Sequence, residues 1–118
     1  MLWTDGACSR QSDPLFRRAG WGLFYAPGHE NNSGGPCGGL EQTNQRGETE
    51  AIHESLRRAG GAGSRPVQIN SDSAYCVGRF AILQSREGVC VATWDPADLW
   101  AQIQELPRRA EAAWLLYR

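Results

Sequence analysis

The segment EQTNQRGETEAIHESLRR (residues 41–58) predicts one amphipathic helix, from which the rest of the architecture can be inferred. At about 100° per residue, its small and apolar side chains share one face: Ala51, Ile52, Ser55, Leu56 and Ala59. Glu48 precedes Ala51 and Ile52 by three and four residues, so its carboxylate lies on the same core-facing side.

The position of Glu48 has two explanations. An acidic residue in the first turn of a helix complements the helix dipole and can stay in contact with water. Alternatively, a carboxylate at the edge of a core is there because a cation meets it. The helix pattern alone does not choose between them.

The composition is that of one globular domain over residues 1–118. A hydrophobic content of 41% with five tryptophans supports a core and argues against disorder. The formal net charge of −1 excludes a protein that grips nucleic acid mainly by bulk charge. The twelve basic residues are all arginine, and they can still form a local patch for phosphate oxygens.

The cysteines and histidines give no sign of a zinc site. The four cysteines have no C-x-x-C spacing, and the two histidines complete no zinc pattern. No apolar run approaches the length of a membrane span, and MLW leads directly into the first strand with no signal peptide. We therefore expect an intracellular protein with reduced thiols and no membrane partner.

Hydrophobic periodicity and turn signals predict five strands and three helices. The first strand is expected to end in a turn at Asp5–Gly6, followed by a loop over residues 7–19. The later elements are predicted in this order: a strand at 20–26, a weak strand in the first half of 29–42, the helix above, a strand at 65–72, a helix at 71–83, an uncertain segment at 84–94, a helix at 95–106 and a strand at 112–118. This order indicates an α/β fold, a mixed sheet of about five strands flanked by helices.

Three acidic residues occupy ends of these elements: Asp5, Glu48 and Asp72. If the strands that end at Asp5 and Asp72 are parallel neighbours, their carboxyl ends meet at one edge of the sheet, where ligand sites form. Each residue also has an ordinary explanation, since Asp-Gly is a common turn dipeptide and Asp72, between two serines, is a good helix N-cap. Their joint placement favours a shared site.

Such a site calls for a divalent cation. Three converging carboxylates raise one another's pKa values unless cations compensate. Oxygen ligands without thiols or imidazoles suit Mg²⁺ or Mn²⁺ better than Zn²⁺. Two such ions about 4 Å apart can activate a water and stabilise the leaving oxygen in phosphodiester cleavage.

Four short blocks resemble, in order and spacing, the signatures of type 1 ribonuclease H domains, including those carried by retroelement polyproteins. The blocks are TDGAC (residues 4–8), GWG (20–22), QTNQRGE (42–48) and SDSAYCV (71–77). The later DLW (98–100) and WLLYR (114–118) resemble that family's penultimate helix and fifth strand. The resemblance covers nearly the whole chain and implies a ribonuclease H-like fold.

The resemblance also implies a function, that of a metal-dependent endonuclease that hydrolyses the RNA strand of RNA–DNA hybrids. Such enzymes read the A-form-like minor groove and the 2′-hydroxyls of the hybrid. Asp5, Glu48 and Asp72 match the family's first three catalytic, metal-binding carboxylates, and the implied cofactor is Mg²⁺ or Mn²⁺, two ions in number.

The family's contacts with the hybrid match four further residues: Cys8, Thr43, Asn44 and Gln45. A neighbouring reverse transcriptase domain in a longer polyprotein is a second implied partner. Among the tryptophans, Trp94 in the uncertain segment is the one we suspect of touching substrate.

The chain also departs from the family. The family has a fourth acidic residue on a last helix, after a loop with a histidine, and the sequence stops at Arg118 before both. We therefore expect a domain incomplete at its C terminus, lacking the final helix. Gly47 replaces a larger helix former, at a cost of about 1 kcal/mol in helix stability. A second interpretation stays open, a catalytically impaired fragment that serves as a nucleic-acid-binding or structural module of a retroelement polyprotein.

Overall fold

The computed structural model describes residues 2–9, 18–39, 41–59, 67–106 and 113–117. Eight elements follow one another: β1 (Leu2–Ser9), β2 (Arg18–Phe24), β3 (Ser33–Pro36), α1 (Asn44–Ala59), β4 (Val67–Ser71), α2 (Ala74–Ser85), α3 (Ala97–Glu105) and β5 (Ala113–Tyr117). This is the order that the sequence predicts. Within the described ranges, no helix combines the length and apolar character needed to cross a membrane.

The five strands form one sheet in the order β3-β2-β1-β4-β5. The β1–β2 and β2–β3 pairs are antiparallel, and the β1–β4 and β4–β5 pairs are parallel. The predicted α/β fold with a mixed sheet of about five strands is therefore confirmed. Because β1 and β4 are parallel neighbours at the centre, the residues at their carboxyl ends share one edge of the sheet.

Strand β1 is longer than the sequence predicts. The backbone does not turn at Asp5–Gly6 but continues to Ser9, and both residues pair with β2. The predicted turn was wrong because an antiparallel partner strand supplies backbone hydrogen bonds along the whole segment, and this pairing outweighs the local Asp-Gly preference. A loop was expected over residues 7–19, but β1 continues to Ser9 and β2 begins at Arg18. The rest of that loop, residues 10–17, lies outside the described residues.

The hydrophobic core joins one face of the sheet to all three helices. Leu2 and Leu23 are buried in it, whereas their neighbours Trp3 and Phe24 form a ring pair on the opposite face, with centroids 6.2 Å apart. The helical stripe predicted from the sequence is buried as expected: Ala51, Ile52, Ser55 and Leu56.

The segment between α2 and α3, which the sequence leaves uncertain, contains neither helix nor strand. Trp94 is only 8% exposed and meets Trp100 edge to face, with ring centroids 5.5 Å apart. The guanidinium of Arg79 covers the Trp94 ring at 4.8 Å from its centroid. This burial contradicts the expectation that Trp94 touches substrate; the ring is part of the core.

Arg46 ties the start of α1 to α3. Its guanidinium donates two hydrogen bonds to Asp98, at 3.1 and 2.6 Å, and its Nε donates to the carbonyl of Gly38. The Arg46 side chain is 8% exposed and that of Asp98 56% exposed. The hydrogen bond raises the pKa of Arg46 and lowers that of Asp98. The pair therefore fixes the end of α1 that carries Glu48.

Candidate metal centre

The three acidic residues predicted from the sequence meet where β4 ends beside the middle of β1. Asp5 belongs to β1, Asp72 directly follows β4, and Glu48 belongs to α1, which packs against β1. One carboxylate oxygen from each residue lies within 4.8 Å of the other two. A depression of about 360 Å³ is lined by Asp5 and Asp72. Carboxylates from three separate segments thus converge on one point.

Polar side chains fix β1 and β4 relative to each other next to this point. The Thr4 hydroxyl donates to the carbonyl of Asn70 at 3.3 Å, and the Asn70 amide donates to the carbonyl of Leu2 at 3.2 Å. Thr4 and Asn70 are both buried. These bonds hold Asp5 and Asp72 in register. The sequence does not predict them, because Asn70 is also compatible with the solvent face of an alternating strand.

Asp72 is not the N-cap of α2. The Ser73 hydroxyl accepts from the backbone N–H of Cys76 at 3.2 Å and caps the helix, while the Ser71 hydroxyl accepts from the N–H of Ser73 at 3.1 Å. The alternative explanation for Asp72 is therefore wrong. The two serines make the local hydrogen bonds, and the Asp72 carboxylate is available to the cluster.

Glu48 also has a different place in its helix from the one considered in the sequence. The hydroxyl of Thr43 accepts from the N–H of Arg46 at 3.1 Å, so α1 starts at Asn44 and its first turn contains no acidic residue. Glu48 begins the second turn. Because the dipole effect fades within the first turn, it does not account for the Glu48 carboxylate.

The electrostatics of the cluster are those of a site built for a cation. The pKa of Glu48 rises from 4.5 to about 7, first through burial and then through the negative charges of Asp72 and Asp5. A hydrogen bond from the backbone N–H of Gly6 to the carboxylate opposes this rise. The Glu48 Oε2 atom is buried and has no hydrogen-bond partner among the residues that the structure describes. Such an atom carries a desolvation cost that a bound cation would remove.

These residues fit a hard divalent cation. The donor set consists of three carboxylates with no sulfur or nitrogen among them, which is the chemistry that Mg²⁺ and Mn²⁺ prefer. The buried, unpartnered oxygen of Glu48 supplies a free ligand atom. Asp5, Glu48 and Asp72 would hold the ions.

The four residues predicted to touch nucleic acid lie beside the cluster, at the start of α1 and in β1. Asn44 is exposed, whereas the Thr43 hydroxyl serves as the helix cap. The Gln45 amide donates to Cys76 Sγ at 3.3 Å and so faces α2, and the Cys8 thiol donates to the carbonyl of Gln42 at 3.3 Å. Their contact with nucleic acid stays a prediction.

Gln42 is a residue whose importance the sequence did not reveal. Its Oε1 accepts from the N–H of Ala19 at 2.7 Å, and its Nε2 donates to the carbonyls of Cys37 and Gly39 at 3.1 and 3.0 Å. One side chain thus joins β2 to the segment that leads into α1. A polar residue just before a helix cap has many possible partners, and no pattern in the sequence singles out these.

A second cluster of possible ligands, on α1, is already paired with cationic side chains. Glu50, His53 and Glu54 offer ligand atoms within 4.8 Å of one another. However, both Glu54 oxygens already accept hydrogen bonds from Arg57, at 3.3 and 2.7 Å, and these bonds lower the Glu54 pKa. Arginine side chains therefore supply the positive charge here, and this cluster is an ion-pair network.

Comparison with known proteins agrees with this fold. The family model described as RNase H matches residues 1–115. The chain therefore belongs to the ribonuclease H family. It is 33% identical to a "Ribonuclease H" of Hyphomonas neptunium, over 97% of this chain and 75% of that protein. It is 34% identical to a "Ribonuclease H" of Bordetella pertussis, over 96% of this chain and 72% of that protein.

Solved structures show the same fold at low sequence identity. The foamy viral protease-reverse transcriptase in complex with RNA/DNA hybrid matches with a TM-score of 0.77 and 20% identity, over 99% of this chain and 17% of that chain. LC11-RNase H1 in complex with RNA/DNA hybrid matches with a TM-score of 0.63 and 18% identity, over 99% of this chain and 83% of that chain.

Proposed function

We propose that the chain hydrolyses the RNA strand of RNA–DNA hybrids with two Mg²⁺ or Mn²⁺ ions held by Asp5, Glu48 and Asp72. The observation that carries the proposal is the convergence of these three carboxylates, one of which has a buried oxygen without a hydrogen-bond partner in the described part of the chain. Membership of the ribonuclease H family supports the same reaction class. The hybrid-bound neighbours support the substrate.

The carboxylates have to be ionised to act as ligands. For Glu48, the fold disfavours ionisation in the absence of a bound cation. Because burial and its two acidic neighbours raise the pKa of Glu48 to about 7, metal binding displaces a proton from this group near neutral pH. When bound, divalent ions supply Lewis-acid stabilisation of the phosphate oxygens and acidify a water. The N–H of Gly6 and the Ser73 cap keep Glu48 and Asp72 in place throughout.

The hybrid is proposed to lie across the start of α1 and the adjacent end of β1. Thr43, Asn44, Gln45 and Cys8 would contact it there, beside the carboxylates. Backbone N–H groups at the N-terminus of a helix favour phosphate oxygens. Selectivity for RNA would come from the 2′-hydroxyls on the strand that is cut.

The domain is proposed to be of type 1 and to work next to a reverse transcriptase domain. The four sequence blocks of that type support the first part. The foamy viral neighbours, which are protease-reverse transcriptases, support the second. The type and the neighbouring domain are both proposals, made in addition to membership of the ribonuclease H family.

A second candidate function is a module that binds hybrid without cutting it. One observation favours it, since the cluster within the described ranges contains three carboxylates and no fourth. A site with fewer acidic ligands binds its cations more weakly.

Cleavage of a labelled RNA–DNA hybrid in Mn²⁺ or Mg²⁺ tests the proposal, with Asp5→Asn and Asp72→Asn as loss variants. Asp95→Asn is the matched control, because Asp95 is exposed and lies outside the cluster. We expect cleavage by the wild type and the control and none by the two loss variants. Cleavage that survives in either loss variant would exclude the metal site, and tight hybrid binding without wild-type cleavage would favour the module.

A further inference from the structure

A closed set of side-chain hydrogen bonds joins the start of α1 to the first turn of α2. The amide nitrogen of Gln45 donates to Cys76 Sγ at 3.3 Å and to Thr49 Oγ1 at 3.4 Å. The Thr49 hydroxyl donates to the backbone carbonyl of Gln45 at 2.8 Å, and its oxygen lies 3.6 Å from Cys76 Sγ. Thr49 and Cys76 are fully buried, so their ends of these bonds are shielded from water.

The direction of each bond follows from the number of protons available. The single hydroxyl proton of Thr49 goes to the Gln45 carbonyl, so Thr49 Oγ1 can only accept from the two other side chains. The amide atom next to it must therefore be the nitrogen of Gln45, which is a donor, and not the oxygen. In the contact between Thr49 and Cys76, the thiol is likewise the donor. Burial raises the pKa of the Cys76 thiol, which therefore keeps this proton at neutral pH.

These bonds decide which end of the Gln45 side chain is left for a ligand. The oxygen of a planar amide points in a different direction from the nitrogen, so it is turned away from Thr49 and Cys76. In the described part of the chain, Gln45 Oε1 accepts no hydrogen bond, yet the buried side-chain atoms without a partner there are only Glu48 Oε2 and His53 Nδ1. Gln45 Oε1 is therefore open to solvent, an acceptor with no donor beside it.

This acceptor lies where the hybrid is proposed to bind. Gln45 precedes Glu48 by three residues and so lies on the same side of α1, next to the exposed Asn44. In the minor groove of a hybrid, the hydrogen-bond donors are the 2′-hydroxyls of the RNA and the exocyclic amine of guanine, whereas the other groups on the base edges are acceptors. An oxygen held at this position matches the donors alone.

We propose that Cys76 is a positioning residue, whose thiol holds the Gln45 amide so that its oxygen accepts a hydrogen bond from a minor-groove donor of the hybrid. This inference rests on the proposed function. Without the thiol, the amide can turn over and offer its nitrogen instead, and the same side chain no longer distinguishes donors from acceptors. Cys76 thus sets selectivity through Gln45 and does not itself touch nucleic acid.

The test compares the affinity of the chain for three hybrids of one sequence, in EDTA so that binding is measured without cleavage. The first hybrid is unmodified, the second has inosine in place of guanine and so lacks the exocyclic amine, and the third has 2′-fluoro groups in place of the hydroxyls. The wild type should bind one of the two modified hybrids roughly 3–10-fold more weakly than the unmodified one, the range for one lost hydrogen bond. Which hybrid is weakened identifies the donor.

Four variants separate positioning from a merely structural role. In Cys76→Ala, the preference for the unmodified hybrid should fall below about twofold, whereas Cys76→Ser should keep it, because a hydroxyl donates and accepts as the thiol does. Thr49→Val keeps the shape of threonine without its hydroxyl, and it should lose the preference as Cys76→Ala does. The matched control is Cys90→Ala, the same substitution at an exposed cysteine, which should keep the wild-type preference.

A wild-type preference in folded Cys76→Ala or folded Thr49→Val, or a lost preference in folded Cys76→Ser, would overturn the inference and leave the proposed function intact. So would a wild type that binds all three hybrids equally. A wild type that neither binds nor cuts the unmodified hybrid overturns the proposed function itself. NMR relaxation of the wild type gives a readout that needs no variant: the side-chain amide of Gln45 should be rigid, and an order parameter below about 0.6 would also overturn the inference.

Discussion

Replacing Glu48 by glutamine should stabilise the metal-free chain above neutral pH. Folding raises the pKa of Glu48 from 4.5 to about 7, so the folded chain holds this proton more tightly than the unfolded chain does. The resulting stability is fully present below pH 4.5 and is lost as the pH rises through about 7. At pH 8 the wild type therefore carries a buried, repelled carboxylate that glutamine lacks.

The size of the effect follows from that pKa change. Each pKa unit corresponds to about 1.36 kcal/mol, so ionising Glu48 costs the folded state about 3 kcal/mol. Water that reaches the half-buried group reduces this to about 2–3 kcal/mol. At pH 5 the carboxyl group is largely protonated in the folded state and about half a pH unit above its pKa of 4.5 in the unfolded state, so the expected difference between wild type and Glu48→Gln falls below about 1 kcal/mol.

Urea unfolding in EDTA at pH 5 and pH 8 measures this difference. Glu30→Gln is the control, because Glu30 is exposed and does not belong to the cluster, and its effect should not depend on pH. Saturating Mn²⁺ should reverse the order at pH 8, because a ligand present at about 1,000 times its dissociation constant stabilises the wild type by about 4.1 kcal/mol, which exceeds that deficit. An equal difference at both pH values, or a wild type more stable than Glu48→Gln at pH 8 in EDTA, would refute the reasoning.

Two further predictions concern the parts of the fold that hold the site. Asp98→Asn should lower the free energy of unfolding by about 1–2 kcal/mol, because the buried guanidinium of Arg46 loses its charged partner. Urea unfolding measures this loss, with Glu105→Gln on the exposed surface as the control. Equal losses of stability in the two variants would contradict the prediction. Trp94→Phe should lower stability by about 1–2 kcal/mol through lost contact with Trp100, with unchanged hybrid affinity. A selective loss of hybrid affinity in folded Trp94→Phe would show instead that the ring touches substrate.

The elements that the sequence predicted well are those whose local pattern agrees with their tertiary role. The stripe of α1 from Ala51 to Leu56 is periodic and buried, and the strand predicted at 65–72 is β4, an inner strand of the sheet with Ile69 buried. The site followed from the same logic, since Asp5 and Asp72 come from parallel neighbouring strands and Glu48 from the core face of α1.

The features that the sequence did not predict depend on residues far apart in the chain. Asp5–Gly6 has a strong local turn preference, and only its pairing with β2 makes the segment a strand. The partner of Arg46 lies 52 residues away, and no local pattern connects it to Asp98. Gly47 was expected to be a cost to the helix, and its close approach to the backbone of β1 and β2 exists only in three dimensions.

The most direct test of the metal site is a crystal structure of the chain soaked in Mn²⁺, with the ions located by their anomalous scattering. Oxygen atoms of Asp5, Glu48 and Asp72 are expected to bind the strongest peak, with the once-unpartnered Oε2 of Glu48 among the ligands. An empty carboxylate cluster, or a peak at Glu50, His53 and Glu54 instead, would contradict the account.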